Sequence, residues 1–261
     1  MASDPLADWP GRRALTDAAG RTALVYSEDE RAGRRWADGA WRPPSASAAS
    51  AAGVVARQLP GWMLSSSDAE LVDELRQRGA ATVRHAHSMS HGLADLPDPP
   101  VVGFTVAPLT PGDLVRRASE VADVAWRAYP AELGDHDWPD VSTAAAGMRS
   151  VSAGEVLGPM TDASRIALDD AGRVLGACLV VDRGGPPPHG GPWVLDVFRD
   201  PRATQRGIGA ALLASSLGAL AAGAAPALGL VVTHSNERAL RLYRRLGFVE
   251  VAESWTLDLP G

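Results

Sequence analysis

One segment limits the possible folds more than any other. An apolar strand candidate, Trp193–Phe198, runs into Asp200-Pro-Arg-Ala-Thr-Gln-Arg-Gly-Ile-Gly and passes at once into an apolar helix over Ile208–Leu220. A strand that turns through two glycines straight into a helix belongs to an α/β architecture. The first turn of such a helix carries unpaired backbone N–H groups and the positive end of the helix dipole. Gly207 and Gly209 leave no side chain over those donors, which is the arrangement that lets a phosphate approach the backbone. Arg202 and Arg206 add positive charge in a chain of formal net charge −6. The segment is not a P-loop, because no Gly-Lys-Ser/Thr follows, and Leu212 occupies the third glycine of a dinucleotide fingerprint. On its own it supports two readings equally: an anion-binding turn, or a turn that serves only packing.

The rest of the chain falls into two parts. Residues 43–53 (PPSASAASAAG) read as a loop or linker with little to bury, and 95–100 (DLPDPP) as a break near which a domain boundary is placed. Residues 184–192 read as an exposed loop between strands. After residue 100 the periodicity predicts a strand at Val101–Ala107 and a helix over Asp113–Ala128. Strands follow at Ser164–Asp169 and Arg173–Val181, joined by a turn, then the strand–turn–helix unit. Leu228–Thr233 reads as a buried strand, Glu237–Leu246 as an amphipathic helix and Phe248–Leu257 as a closing strand. The expected fold is mixed α/β, a central mixed sheet flanked by helices, with a smaller N-terminal α/β part. A faint repeat relates Leu64–Met89 to Val232–Leu257, with Asp68 falling on Asn236, Leu71 on Ala239, Leu75 on Tyr243 and Gly79 on Gly247. In the first copy Ser67-x-x-Glu70 has the form of a capping box.

The glycine turn does not stand alone. About thirty residues on comes Asn236-x-x-Ala239-x-x-Leu242-Tyr243-x-x-x-Gly247-Phe248, and Pro201 precedes Gly207 by six positions. With these motifs the C-terminal part resembles the GNAT superfamily of N-acetyltransferases over roughly 101–258, most specifically over 193–248. Two positions depart from that pattern: Thr204 stands where the loop usually opens with Gln or Arg, and Arg199 where an aliphatic residue is usual. The resemblance implies acetyl-CoA as acyl donor and an amine as acceptor, with direct transfer in a ternary complex. It implies that the backbone of Val197, Phe198 and Arg199 pairs with the pantetheine arm. It also implies that Thr204, Gln205, Arg206, Gly207, Ile208, Gly209 and Ala210 hold the pyrophosphate and that Asn236 contacts the coenzyme. Tyr243 would sit beside the thioester sulfur and protonate the leaving thiolate. Read only from its helix face, Tyr243 is a core tyrosine with a satisfied hydroxyl.

Amine attack also needs a base, since a lysine-like amine is mostly protonated at neutral pH. His234, at the end of a strand, and Asp196, in the strand before the turn, are the candidates, each with a purely structural alternative. Strict alternation would turn Trp193 and Leu195 away from the face of Asp196. Glu132, Asp135, His136 and Asp137 suit either a solvated loop or an acceptor pocket for a cationic amine. His85, His87 and His91 lack a local cysteine or carboxylate to complete a metal site, so no metal is expected. Cys178, the only cysteine, lies in an apolar strand and reads as a buried, inert thiol.

Residues 101–261 are thus expected to form an acyltransferase domain and 1–100 a degenerate, incomplete relative of it. That first part lacks the glycine turn and has Leu75 at the tyrosine position, so it is expected to be a scaffold without a coenzyme site. The layout is similar to that of family enzymes with two such domains. With Lys+Arg 25 against Asp+Glu 31 and no basic run, nucleic acid is not an expected partner. No uncharged apolar stretch is long enough for a membrane span and the N-terminus is unlike a signal peptide, so a cytoplasmic monomer or homodimer is expected. The acceptor is read as a small-molecule amine; a protein or peptide amine, or a non-catalytic acyl-CoA-binding module, are the alternatives.

Overall fold

The computed structural model describes residues 4–31, 33–129, 138–184 and 190–261. In chain order the first elements are β1 (Arg12–Thr16), β2 (Thr22–Arg31), β3 (Arg34–Trp41), α1 (Ala48–Gln58), β4 (Met63–Ser66), α2 (Ala69–Gln77) and β5 (Ala81–His91). There follow β6 (Thr105–Pro108), α3 (Pro111–Arg116), α4 (Ala118–Ala128), α5 (Val141–Ser152), β7 (Arg165–Leu168) and β8 (Val174–Val181). The last are β9 (Trp193–Arg199), α6 (Ile208–Ala222), β10 (Leu228–Thr233), α7 (Glu237–Arg245) and β11 (Val249–Asp258). The chain divides into two compact units. One runs to Ser88 and takes in Val251–Gly261; the other runs from Met89 to Glu250.

In the first unit the strand order is β1-β2-β3-β4-β11-β5. β1 to β3 form an antiparallel meander and β4 runs parallel to β3. The antiparallel partner of β4 is β11, from the far end of the chain, with Trp255 opposite Ser66 and Asp258 opposite Met63. The core gathers Leu24, Leu64, Leu71, Leu75 and Leu257 beneath α1 and α2. α1 corrects an expectation, since the composition of 43–53 predicts a loop. Ser47 caps the helix by accepting from the Ser50 N–H, and Ala51 and Ala52 are fully buried. Small side chains buried this closely leave little trace in an average of hydrophobicity, yet they let a helix approach a sheet. The meander was likewise not foreseen.

In the second unit the order is β10-β9-β8-β7-β6. β6 to β9 are antiparallel neighbours, and β9 and β10 are parallel. Helices cover both faces. α6 and α7 bury Leu212, Leu213, Leu217, Leu240 and Tyr243 against one face, and α3 to α5 bury Leu114, Val121, Ala122 and Met148 against the other. The single helix expected over 113–128 is two. Thr110 and Asp113 form a reciprocal capping box with Pro111 in the first turn, and α3 ends at Arg117 before α4 begins.

The repeat reappears as local geometry. Asp68 and Asn236 each cap their helix by accepting from the backbone N–H three residues on, at Leu71 and Ala239. The helices end alike: Ala80 donates to Leu75 O and Phe248 to Tyr243 O, both at 3.0 Å, across Gly79 (φ +95°) and Gly247 (φ +89°). A left-handed φ at those two positions is the conformation that favours glycine. The cap of α2 is thus Asp68 rather than Ser67, and Glu70, which a capping box would turn back to the cap, instead pairs with Arg42 at 2.8 Å. No helix among the described residues is long and apolar enough to cross a membrane.

Candidate active site

The site begins with a fault in β9. Cys178 lies opposite Val197 and Leu179 opposite Asp196, but Val180 lies opposite Val194, so Leu195 is an extra residue on β9. Such a bulge breaks the alternation of side chains. Val194 and Val197 both reach the α6 side, whereas Trp193, Leu195 and Phe198 reach the α3–α5 side. Asp196, paired with Leu179 of the α3–α5 core, shares that second face. Strict alternation had set Asp196 against Trp193 and Leu195; the bulge puts them together.

β9 also parts from β10. Among the described residues the two strands share one register pair, Trp193 with Gly229, secured by Gly229 N–H donating to Pro192 O at 3.0 Å. Gly229 is required there, since a Cβ would lie 2.5 Å from the Trp193 ring. Beyond that pair β9 continues to Arg199 and β10 to Thr233 without pairing, so the backbone of Val197–Arg199 is left facing a cleft.

The glycine turn closes the head of this cleft. Asp200 organises it: its N–H donates to Leu175 O, its carbonyl accepts from Ala203 N–H, and its carboxylate accepts from Arg202 N–H and from Arg127 of α4. Burial opposes ionisation of Asp200, but the Arg127 and Arg202 hydrogen bonds outweigh it and hold the carboxyl down at about 2. Arg199, the unusual residue before the turn, bends back so that its guanidinium donates to Asp200 O and Ala203 O, at 3.3 and 3.4 Å. It therefore braces the loop without interrupting β9. Gly207 then takes φ +80° as the residue before α6, and no side chain caps the helix. Its first N–H groups are thus left to whatever enters the cleft.

α7 forms the opposite wall through Asn236, Arg238, Ala239, Arg241, Leu242, Tyr243 and Arg245. The cleft has a volume of about 860 Å³, within the range of small-molecule sites. All the residues expected to hold the coenzyme line it: Val197, Phe198, Arg199, Thr204 to Ala210, Asn236 and Tyr243. Tyr243 is buried, with its ring 5.8 Å from that of Phe248. Asn236 spends its carboxamide oxygen on capping α7 at Ala239 N–H (3.1 Å). Arg206, Arg238 and Arg245 have no ion-pair partner among the described residues, so the walls carry uncompensated positive charge.

Neither base candidate is itself among the residues that line the cleft, and the two differ in what they touch. Asp196 accepts a hydrogen bond from Tyr129, which follows α4 and lines the cleft. His234 is exposed on the turn after β10 and is not among the lining residues. No local pattern links Tyr129 to Asp196: an aromatic at the end of an amphipathic helix is a signal shared by many core residues. Glu132, Asp135, His136 and Asp137 lie outside the described residues. Cys178 is fully buried in β8, and burial pushes its thiol up to about 12. In the first unit His85 pairs with Glu253 at 2.8 Å and stacks on Trp255. His91 is buried, accepts from the Leu93 N–H, and is held below its ordinary pKa by burial.

An uncapped helix N-terminus beside an unpaired strand end, with a tyrosine opposite, can hold a phosphate-bearing thioester arm. Comparison with known proteins bears on the family and the fold. The Acetyltransferase (GNAT) family profile matches residues 119–248. A search of curated proteins finds no match. Among solved structures, a GCN5-related N-acetyltransferase from Sphaerobacter thermophilus superposes with a TM-score of 0.69 at 18% identity, covering 95% of this chain and 81% of that one. One from Kribbella flavida gives 0.58 at 20% identity, covering 96% and 90%. A tandem GNAT protein from the clavulanic acid biosynthesis pathway gives 0.58 at 13%, covering 97% and 85%. At such identities the likeness is one of fold, and it extends over the N-terminal part as well. Residues 119–248 of this chain belong to the GNAT family of acetyltransferases.

Proposed function

We propose that the protein transfers the acetyl group of acetyl-CoA to the amine of a small molecule, directly and in a ternary complex. The observation that carries this reading is the cleft itself. One cavity joins the unpaired end of β9, the uncapped N-terminus of α6 and Tyr243. The three would take, in order, the amides of the pantetheine arm, the pyrophosphate and the thioester.

Each part has a physical task. Backbone N–H and C=O groups of Val197–Arg199 pair with the arm as an added strand would. Amides from Gln205 to Ala210 take the pyrophosphate, with Arg206 adding charge. Asp196 accepts the proton that the attacking amine must lose, directly or through a water. As the N–C bond forms and the C–S bond breaks, Tyr243 hydrogen-bonds the sulfur and passes it a proton. At ordinary values a phenol of pKa about 10 and a thiol of about 8.5 make that transfer uphill by roughly 2 kcal/mol. Tyr243 therefore acts first as a donor to developing charge, with the proton moving late. No acyl-enzyme is needed, and buried Cys178 is unsuited to form one.

The first part of the chain, through Ser88, serves in this reading as a scaffold. Leu75 stands at the position of Tyr243, and no glycine turn precedes α2. Calorimetry with acetyl-CoA should give one site per chain. A thiol-release screen across small amines, amino acids and peptides should give turnover on small amines. Turnover confined to peptides would move the acceptor class, and binding with no turnover on any amine would replace the enzyme reading with that of a binding module.

A further inference from the structure

Tyr129 is the residue after α4, and there the backbone leaves the helix for an extended conformation (φ −104°, ψ 102°). That turn carries its ring to the cleft wall, beside Ala128 and the Val197–Phe198 stretch of β9. Its hydroxyl donates to Asp196 Oδ1. Asp196 shares a face with Trp193 and Leu195 only because Leu195 bulges; strict alternation from those two residues would turn its carboxylate to the α6 side. Two irregularities, a helix end and a strand bulge, thus converge on one hydrogen bond at the edge of the cleft.

We propose that Tyr129 is a positioning residue for Asp196: it fixes the carboxylate behind the cleft wall that Tyr129 and Val197 form, and keeps it in the anionic form that an amine requires. This rests on the acetyltransferase reading above. A phenol that donates to a carboxylate favours the charged state of the acid, because only the anion accepts with full strength. The bond also fixes the rotamer of a side chain that is otherwise half-exposed on a strand, so a cationic amine would meet a preset acceptor. A purely structural tie from α4 to β9 would need the bond as well, but it would not need Asp196 to be charged.

The test replaces Tyr129 by Phe, which keeps the ring and removes the donor. Carboxyl-¹³C aspartate NMR of the full chain, with Asp196→Asn to assign the resonance, reads the acid directly and needs no acceptor. The expected result is a rise of about one pH unit in the Asp196 midpoint, a roughly tenfold gain in proton affinity. The acid limb of kcat/KM should move up with it, kcat should fall about tenfold, and KM for acetyl-CoA should stay in place. In the Asp196→Asn background, Tyr129→Phe should have no further effect on rate. An unmoved midpoint with a lowered Tm makes the bond structural and overturns the proposal. If the wild type binds no acetyl-CoA, the acetyltransferase reading fails instead, and the NMR midpoint separates the two failures.

Discussion

Arg127 on α4 donates through Nη2 to Asp200 Oδ2 at 2.8 Å, tying a helix of one face to the turn that heads the cleft. Arg127 also holds Asp123 of its own helix, so the guanidinium spans two carboxylates. Asp200 is depressed to about 2 against an ordinary value near 3.9. A carboxyl depressed by folding contributes stability that is present in full above its unfolded pKa and lost as pH falls through its folded one. Asp200→Asn should therefore lower stability at pH 7 by about 2 kcal/mol. Between pH 4 and 2 the wild type should converge on the variant. Urea titrations at a series of pH values check both, and a constant difference across that window would remove the ion pair as its cause.

Gly207 and Gly209 should separate folding from binding. Gly207 sits at φ +80°, so Gly207→Ala should cost about 1–2 kcal/mol from backbone strain alone. Gly209 is helical, and an added Cβ meets only Leu242 Cδ2 at 3.4 Å. Gly209→Ala should leave Tm unchanged or raise it slightly through helix propensity. It should nonetheless weaken acetyl-CoA by tenfold or more, because the methyl covers the helix N-terminus. Thermal melts and calorimetry together distinguish this from a general loss of structure.

Tyr243→Phe should lower kcat by about 10²–10⁴ while the dissociation constant for acetyl-CoA changes by less than threefold. The ring is packed against Phe248, so the variant should keep its fold. Steady-state kinetics on an acceptor found by the screen provide the measurement, and an unchanged kcat would take Tyr243 out of the mechanism.

Cys178 is fully buried, and burial pushes its thiol up to about 12. The native protein should be inert to a thiol reagent at pH 8 and titrate one thiol after unfolding. Cys178→Ala should retain at least half of the wild-type kcat. A large loss there would reopen an acyl-enzyme route.

How much of this was legible beforehand follows from the range of each cause. The run from β9 to α7 could be read closely, since its signals are local: apolar periods, a glycine pair, and Asn236 before a helix. The start of α1 was hidden because the residues it buries there, Ala51 and Ala52, are alanine; Val54 and Val55, which complete the buried face, lie beyond the alanine-rich run. The meander was hidden because β2 ends in Ser-Glu-Asp-Glu-Arg and β3 opens on Arg-Arg, charges that lie exposed and pair across the strands at Arg13–Glu28 and Arg35–Glu28. The Leu195 bulge has no residue signature, being set by the register of β8 against β9. Strict alternation sets Asp196 against Trp193 and Leu195, whereas the bulge brings all three to one face. Tyr129 and Asp196 are 67 positions apart, beyond any local pattern.

The pairing of β4 with β11 bears on how the chain is made. Met63–Ser66 waits for Trp255–Asp258, which is made only after the whole of the second unit's strands and helices. The first unit, although begun before the second, stays an open sheet with an unsatisfied edge until the second has been made. Exposed edges of that kind recruit other strands. The unit that is begun before the other is thus completed after it, and β4 depends on β11 to cover its edge.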